Sequence, residues 1–291
     1  MVRRREFLIG SVAAASAAVI SDAQDTAVMA KLNRVGVMSG CFGHLMAEVW
    51  NRAQPVEPKE LDIMDFPQML ASHYHIHNVE VQQIHFLSME PAYFEKFLER
   101  LKKAKSRMVD MPLELDEYGY RGTISPCSPD PQVRAHAIEL TKQWIDRAAM
   151  IECPSVMVNQ GTFGEDLQPA IDALKTLDEY GKSKNVAMIL EPRGRSSVET
   201  LFKVIKESGI GANPDIGNFP NEQEMEKGLR LLYPYAKTVS HVKWSPERID
   251  FAKAIQISKE MGFKGVYSLE GGGPEPYSGV QWLLDQLMKN L

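Results

Sequence analysis

Apolar and polar residues alternate along this chain in two rhythms that take turns from residue 34 to the C-terminus. Short runs, apolar throughout or at every second position, read as strands at 34–38 (RVGVM), 77–84 (HNVEVQQI), 107–115 (RMVDMPLEL), 155–161 (SVMVNQG) and 185–194 (NVAMILEPRG). Three more follow at 210–218 (IGANPDIGN), 235–244 (YAKTVSHVKW) and 265–273 (GVYSLEGGG). Between them lie stretches of helical period: Phe66–His73, 92–105, 128–151, 166–184, 196–209 and the closing 278–291. The 128–151 segment opens with cap residues and prolines, and 196–209 is opened by Ser196 or Ser197 and closed by Gly209.

Strand and helix alternate with a period of about 30 residues, which predicts parallel βαβ units. Eight strands in about 260 residues predict a closed, parallel (β/α)8 barrel as a single α/β domain over residues 30–291. A doubly wound open sheet is the alternative. Against it, no strand is followed by G-x-G-x-x-G or G-x-x-x-x-G-K-[ST]. GGGPEP after the eighth strand lacks the lysine of a phosphate loop and reads as a flexible loop at the barrel mouth.

Residues 1–25 stand apart from this rhythm. Arginines at 3–5, an apolar run from Phe7 to Ile20 and small residues near Ala23 have the layout of a signal peptide. Arg4-Arg5-Glu6-Phe7-Leu8 resembles the twin-arginine export motif. That implies a bacterial protein handled by the twin-arginine machinery and delivered to the periplasm or beyond, anchored if the segment is not cut.

Composition narrows the chemistry. The chain has 291 residues, 44% hydrophobic and 24% charged, with a formal net charge of -5. A sizeable core is within reach, and an acidic balance with no basic run argues against nucleic acid as partner. Cys41, Cys127 and Cys153 are odd in number and widely spaced, so they read as small buried hydrophobes.

The later strands end alike. Strand five ends in Glu191, six in Asp215, seven in His241 and eight in Glu270, one βα unit apart each time. In a barrel, such ends meet at the C-terminal face. Three carboxylates brought together repel one another unless a cation neutralises them. Carboxylates plus one imidazole suit one divalent ion, Mn2+ ahead of Mg2+, Co2+ or Zn2+.

The runs ILEPRG (189–194), PDIGNF (214–219), HVK (241–243) and LEGG (269–272) resemble the signatures of the xylose isomerase-like TIM-barrel superfamily, over residues 32–291. This group holds sugar isomerases and epimerases as well as endonuclease IV. The resemblance implies Glu191, Asp215, His241 and Glu270 as metal ligands, with Glu191 and Glu270 also acting as acid and base on a ketose through an enediolate. Where the family often carries histidine after strand six, this chain has Asn218, which can hydrogen-bond a hydroxyl but cannot carry a proton. The further histidine pairs of a three-zinc nuclease are missing.

Other strand ends offer substrate contacts. Lys243 shares a face with His241, and can bind a substrate oxygen or pair with Asp215 or Glu270. Arg193, Asn159, Asn218, Glu80 and His85 are the other candidates, with Gln82 and Gln160 beside them, while Trp244 reads as rim packing. His73, His75 and His77 fall at the N-terminal side of the barrel and read as exposed structural residues. The expected function is a metal-dependent isomerase or epimerase of unphosphorylated sugars, such as keto-sugars. The alternatives are a metal-dependent lyase, dehydratase or hydrolase on a modified glycoside, and a non-catalytic sugar-binding barrel. Oligomeric state is open, dimers and tetramers being common in the family.

Overall fold

The computed structural model describes residues 26–49, 59–115, 124–193, 196–243, 250–271, 273 and 275–291. The export-type segment, Trp244, and Gly272 and Pro274 of the glycine-rich loop lie outside them. Eight parallel strands are present: β1 (Val35–Met38), β2 (Asn78–Glu80), β3 (Arg107–Leu113), β4 (Ser155–Asn159), β5 (Ala187–Glu191), β6 (Gly211–Ala212), β7 (Val239–Lys243) and β8 (Val266–Glu270). Their order is β6-β5-β4-β3-β2-β1-β8-β7. Eight helices connect or close them: α1 (Phe66–Tyr74), α2 (Pro91–Lys103), α3 (Pro131–Met150), α4 (Gln168–Ser183), α5 (Val198–Ser208), α6 (Glu222–Leu232), α7 (Phe251–Glu260) and α8 (Pro276–Asn290). This is the (β/α)8 TIM barrel.

The ladder leaves β6 and β7 at its two ends, and other bonds close the seam. Ile216 N–H donates to the His241 carbonyl (3.2 Å), and the Ser240 hydroxyl donates to the Pro214 carbonyl (2.7 Å). The Asn213 side chain accepts from His241 N–H at 3.0 Å. Pro214 has no N–H to give, so β6 stops after two residues and does not run over 210–218 as the apolar pattern predicts. The second strand is also shorter than 77–84. Gln82 N–H turns to the Ser39 hydroxyl (3.0 Å), and Gln83 exchanges two bonds with the Glu114 backbone, so the chain enters a 3-10 turn at Gln83–His85.

Capping and apolar spacing explain the helices. Asp130 caps α3 by accepting from Gln132 and Val133 N–H (2.8 and 3.2 Å). α2 buries Phe94, Phe97 and Leu101 on one stripe, and these pack with Phe86 and the fully buried Trp144 of α3 between sheet and helices. Inside the barrel, Val109, Met157, Ile189, Val239 and Val266 form a separate apolar cluster. Val239, His241 and Lys243 alternate along one face of β7, so this cluster is the floor beneath the histidine. A β-bulge interrupts the β2–β3 register between Val79 and Glu80, which turns Asp110 to stand opposite Glu80.

The three cysteines are free and buried, and burial pushes the Cys41 and Cys127 thiols up to about 12. His73 packs on the rings of Tyr74 and Tyr277, His75 takes the left-handed cap of α1, and His77 bonds the Ala104 carbonyl. Among the described residues no helix is long and apolar enough to cross a membrane.

Candidate metal centre at the C-terminal face

The strand ends converge. Glu191, Asp215, His241 and Glu270 each offer one ligand atom, and these atoms lie within 4.8 Å of one another. β7 and β8 pair His241 with Ser268 and Lys243 with Glu270, and β4 and β5 pair Asn159 with Glu191, which sets these strand ends level in two pairs. Asp215 arrives by a different route. It lies beyond β6, and its Oδ1 accepts from Gly217 N–H at 2.8 Å. A Cβ on Gly217 would lie 2.7 Å from Lys243 Cβ and Cδ, so only glycine lets this loop close over the lysine.

His241 is held along both edges. Its Nδ1 donates to Glu191 Oε1 (2.9 Å) and stands 2.9 Å from Glu270 Oε2. Its Nε2 donates to Glu80 Oε1 at 2.7 Å. Burial pulls the imidazole pKa down, but Glu80, Glu270 and Glu191 outweigh it and hold the ring well above 6.5. Two cations offset the acids. Arg193 Nε bonds Glu191 Oε2 (2.8 Å), and the same guanidinium reaches Glu114 Oε1 (2.6 Å). Lys243 Nζ lies 3.0 Å from Asp215 Oδ2 and bonds Glu270 Oε1.

The carboxyls respond unequally. Burial works against the charge of Glu191 and of Glu270, yet Arg193 and His241 lower the first, and His241 and Lys243 lower the second well below the usual range. Asp215 is fully buried, and desolvation joined by the charges of Glu270 and Glu191 overrides Lys243, leaving it well above 3.8. Two buried oxygens in the group, Asp215 Oδ2 and Glu270 Oε2, make no well-aligned hydrogen bond and are met only by the charges of Lys243 and His241. Under-satisfied acceptors of this kind, in a set of three carboxylates and one imidazole, fit a divalent cation that accepts oxygen and nitrogen ligands.

Of the other candidates, Arg193 and Lys243 stand against the ligand set. Asn159 reaches it indirectly, donating to Glu114 Oε2 (2.9 Å), the acid that Arg193 also holds. Asn218 lines an adjoining cavity of about 430 Å3 with Gln160, Ser196 and Phe219, and its Nδ2 is buried without a partner. His85 lies elsewhere: its Nδ1 meets the Ser39 hydroxyl at 2.7 Å and its Nε2 faces Glu48 at 3.7 Å. Glu80, expected at a substrate contact, sits behind the histidine as a partner of His241 Nε2, on the edge of the ring opposite Glu191 and Glu270. Glu114 and Asp110 were not anticipated from the sequence. Glu114 ends the third apolar run as Glu191 ends the fifth, and that signal could have found it. A larger cavity, about 510 Å3, opens at the opposite face beside Arg107, Lys237 and Lys264, and none of the four ligands lines it. The convergence of liganding groups, and not the size of a hollow, therefore marks the site.

The sequence matches the family model described as xylose isomerase-like TIM barrel over residues 71–286. A search of the curated proteins found no match to the sequence. Among solved structures, D-allulose 3-epimerase from Methylomonas sp. is 12% identical with a TM-score of 0.68, covering 89% of this chain and 98% of its own. D-psicose 3-epimerase from Clostridium cellulolyticum H10, solved with D-tagatose, is 12% identical with a TM-score of 0.65, covering 88% and 95%. A xylose isomerase-like TIM barrel protein from Mycobacterium smegmatis, in complex with magnesium, is 15% identical with a TM-score of 0.63, covering 89% and 97%. At these identities the likeness is one of fold. With a family model spanning most of its length and the eight-stranded barrel to match, the chain belongs to the xylose isomerase-like TIM barrel family.

Proposed function

We propose that this protein is a divalent-metal-dependent isomerase or epimerase acting on an unphosphorylated ketose or keto-sugar, with Glu191 and Glu270 exchanging the proton on carbon. One observation carries the reading. Two carboxylates, the buried Glu191 and the half-buried Glu270, meet the same edge of His241, each 2.9 Å away, and each has its own cation to keep it ionised, Arg193 for Glu191 and Lys243 for Glu270. An ionised carboxylate is the form a general base needs. Glu191, Asp215, His241 and Glu270 would hold the ion, which supplies Lewis acidity to a substrate carbonyl and its enediolate. Lys243 and Arg193 keep charge balanced as a proton moves between carbon and carboxylate. Asn218 and Asn159 would orient hydroxyls, since an amide can donate and accept but cannot exchange a proton.

Neighbours named as 3-epimerases of D-allulose and D-psicose support the substrate class. The magnesium complex of another supports a hard divalent ion. The preference for free sugars rests on the export-type segment at residues 1–25. The test is product analysis. Metal-loaded protein is incubated with unphosphorylated ketohexoses and ketopentoses, and the products are separated by chromatography and read by NMR. An epimer or an aldose supports the reading. An unsaturated product supports the lyase alternative, and release of an aglycone from a glycoside supports the hydrolase.

The raised pKa of His241 adds a pH signature. An ion taking Nδ1 must displace a proton that the free protein keeps well above 6.5. Proton competition weakens as pH rises, so metal affinity rises with it. Added Mn2+ is therefore expected to lift Tm more at about pH 8 than at about pH 6. Thermal melts with and without the ion at both values check this, and an equal lift at both would contradict it.

A further inference from the structure

Beneath the ligand set lies a second group of polar side chains that the proposed reaction does not use. Glu80 on β2 is 0% exposed, and its Oε1 lies 2.7 Å from His241 Nε2. That is its one hydrogen bond among the described residues, since Oε2 is buried with no partner. Asp110, opposite Glu80 across the bulge, is equally buried; its Oδ1 accepts from the Ser155 hydroxyl (2.5 Å), and its Oδ2 has no partner. A buried carboxylate with so little compensation is costly, and it persists only if something depends on it.

The two edges of the imidazole face different groups. Nδ1 faces Glu191 and Glu270, the ligand side, and Nε2 faces Glu80. A ring nitrogen can ligate a metal only through a lone pair, so the other nitrogen must keep the proton. We infer that Glu80 is a positioning residue: it fixes the proton of His241 on Nε2 and the ring in its plane, so that Nδ1 is the nitrogen presented to the ion. The inference rests on the reading of His241 as a metal ligand.

Two features support it. The acceptor comes from β2, separated from β7 by β8 and β1, while Glu191 on β5 holds the other edge, so the ring is clamped between two strands and cannot turn without breaking a buried bond. Asp110 is engaged elsewhere: its Oδ1 accepts from the Ser155 hydroxyl, and the Nε2 edge of His241 is met by Glu80. A single carboxyl oxygen, Glu80 Oε1, is hydrogen-bonded to this edge of the ring among the described residues. Neither ring nitrogen is left to a mobile water.

The test uses Mn2+ titrated calorimetrically into the full chain, and NMR of the 15N-histidine-labelled protein loaded with diamagnetic Mg2+. Glu80→Met removes the acceptor at similar volume. It is expected to weaken Mn2+ binding about 10–100-fold, the usual effect of losing such a partner. Glu80→Gln keeps an acceptor oxygen and is expected to recover most of that loss. In the Mg2+-loaded wild type, the His241 signal, assigned by its absence from His241→Gln, should show a protonated Nε2 and a ligated Nδ1. Unchanged Mn2+ affinity in Glu80→Met, or a proton on Nδ1 in the loaded wild type, would overturn the inference and leave the metal reading intact. A wild type that binds neither ion would remove both. The NMR result on the wild type decides the matter even where Glu80→Met does not fold.

Discussion

Glu270→Gln is expected to lower turnover of the sugar interconversion by about 10²–10⁴-fold at saturating Mn2+, the range for loss of a general acid or base. Glutamine keeps the shape and one acceptor oxygen but can neither take nor hold the proton. The fold should survive, because Lys243 retains Asp215 Oδ2 at 3.0 Å and Asp215 and Glu191 remain to balance both cations. Glu270 also belongs to the ligand group, so the ion must be saturating for the loss to be read as chemistry. Steady-state rates with metal content measured on the same samples give the answer. Turnover within about tenfold of wild type would remove Glu270 from proton transfer. Glu191→Gln should behave alike if two bases act, and a sharp asymmetry between the variants would indicate one-base chemistry.

His241→Leu is expected to destabilise the metal-free protein by about 3–5 kcal/mol, the usual cost of removing one partner from a buried charged pair. Leucine fills the space, but the Glu80 carboxyl loses its one side-chain hydrogen bond among the described residues and stays enclosed, while Glu191 and Glu270 lose the proton donor between them. The pH dependence follows from the directions of the shifts. The raised pKa of His241 gives stability that is complete below its ordinary 6.5 and is lost as pH rises through the folded value. The lowered pKa values of Glu191 and Glu270 give stability that is complete above their ordinary 4.5 and is lost as pH falls. The gap between wild type and variant should thus be widest between 4.5 and 6.5 and close toward alkaline pH. Urea unfolding at a series of pH values measures it. A gap below about 1 kcal/mol throughout would mean that His241 carries no charge in the free protein.

The convergence of Glu191, Asp215, His241 and Glu270 was legible because strand alternation and βα spacing are local properties. Each of the four ends an apolar run or follows it closely, and a parallel barrel brings such ends to one face. The bulge that turns Asp110 toward Glu80, and the bond from Arg193 on the fifth strand end to Glu114 on the third, depend on register between strands, which no local pattern encodes. The reach of Glu80 across the barrel to His241 is of the same kind. Two helices were also not delimited from the sequence. α6 carries Gly228, an unfavourable helix residue, because the Phe219 ring packs directly against that position and leaves no room for a side chain. α7 follows residues 244–249, which lie outside the described chain.

The proposed reaction moves a proton on a sugar carbon with the help of a divalent ion. Incubation in D2O with a panel of ketoses, followed by NMR of the recovered sugars, tests it most directly. Deuterium is expected on the carbon next to the carbonyl of at least one ketose, lost when the ion is chelated and restored by Mn2+. Protein that holds one ion per chain and leaves every ketose undeuterated would contradict it.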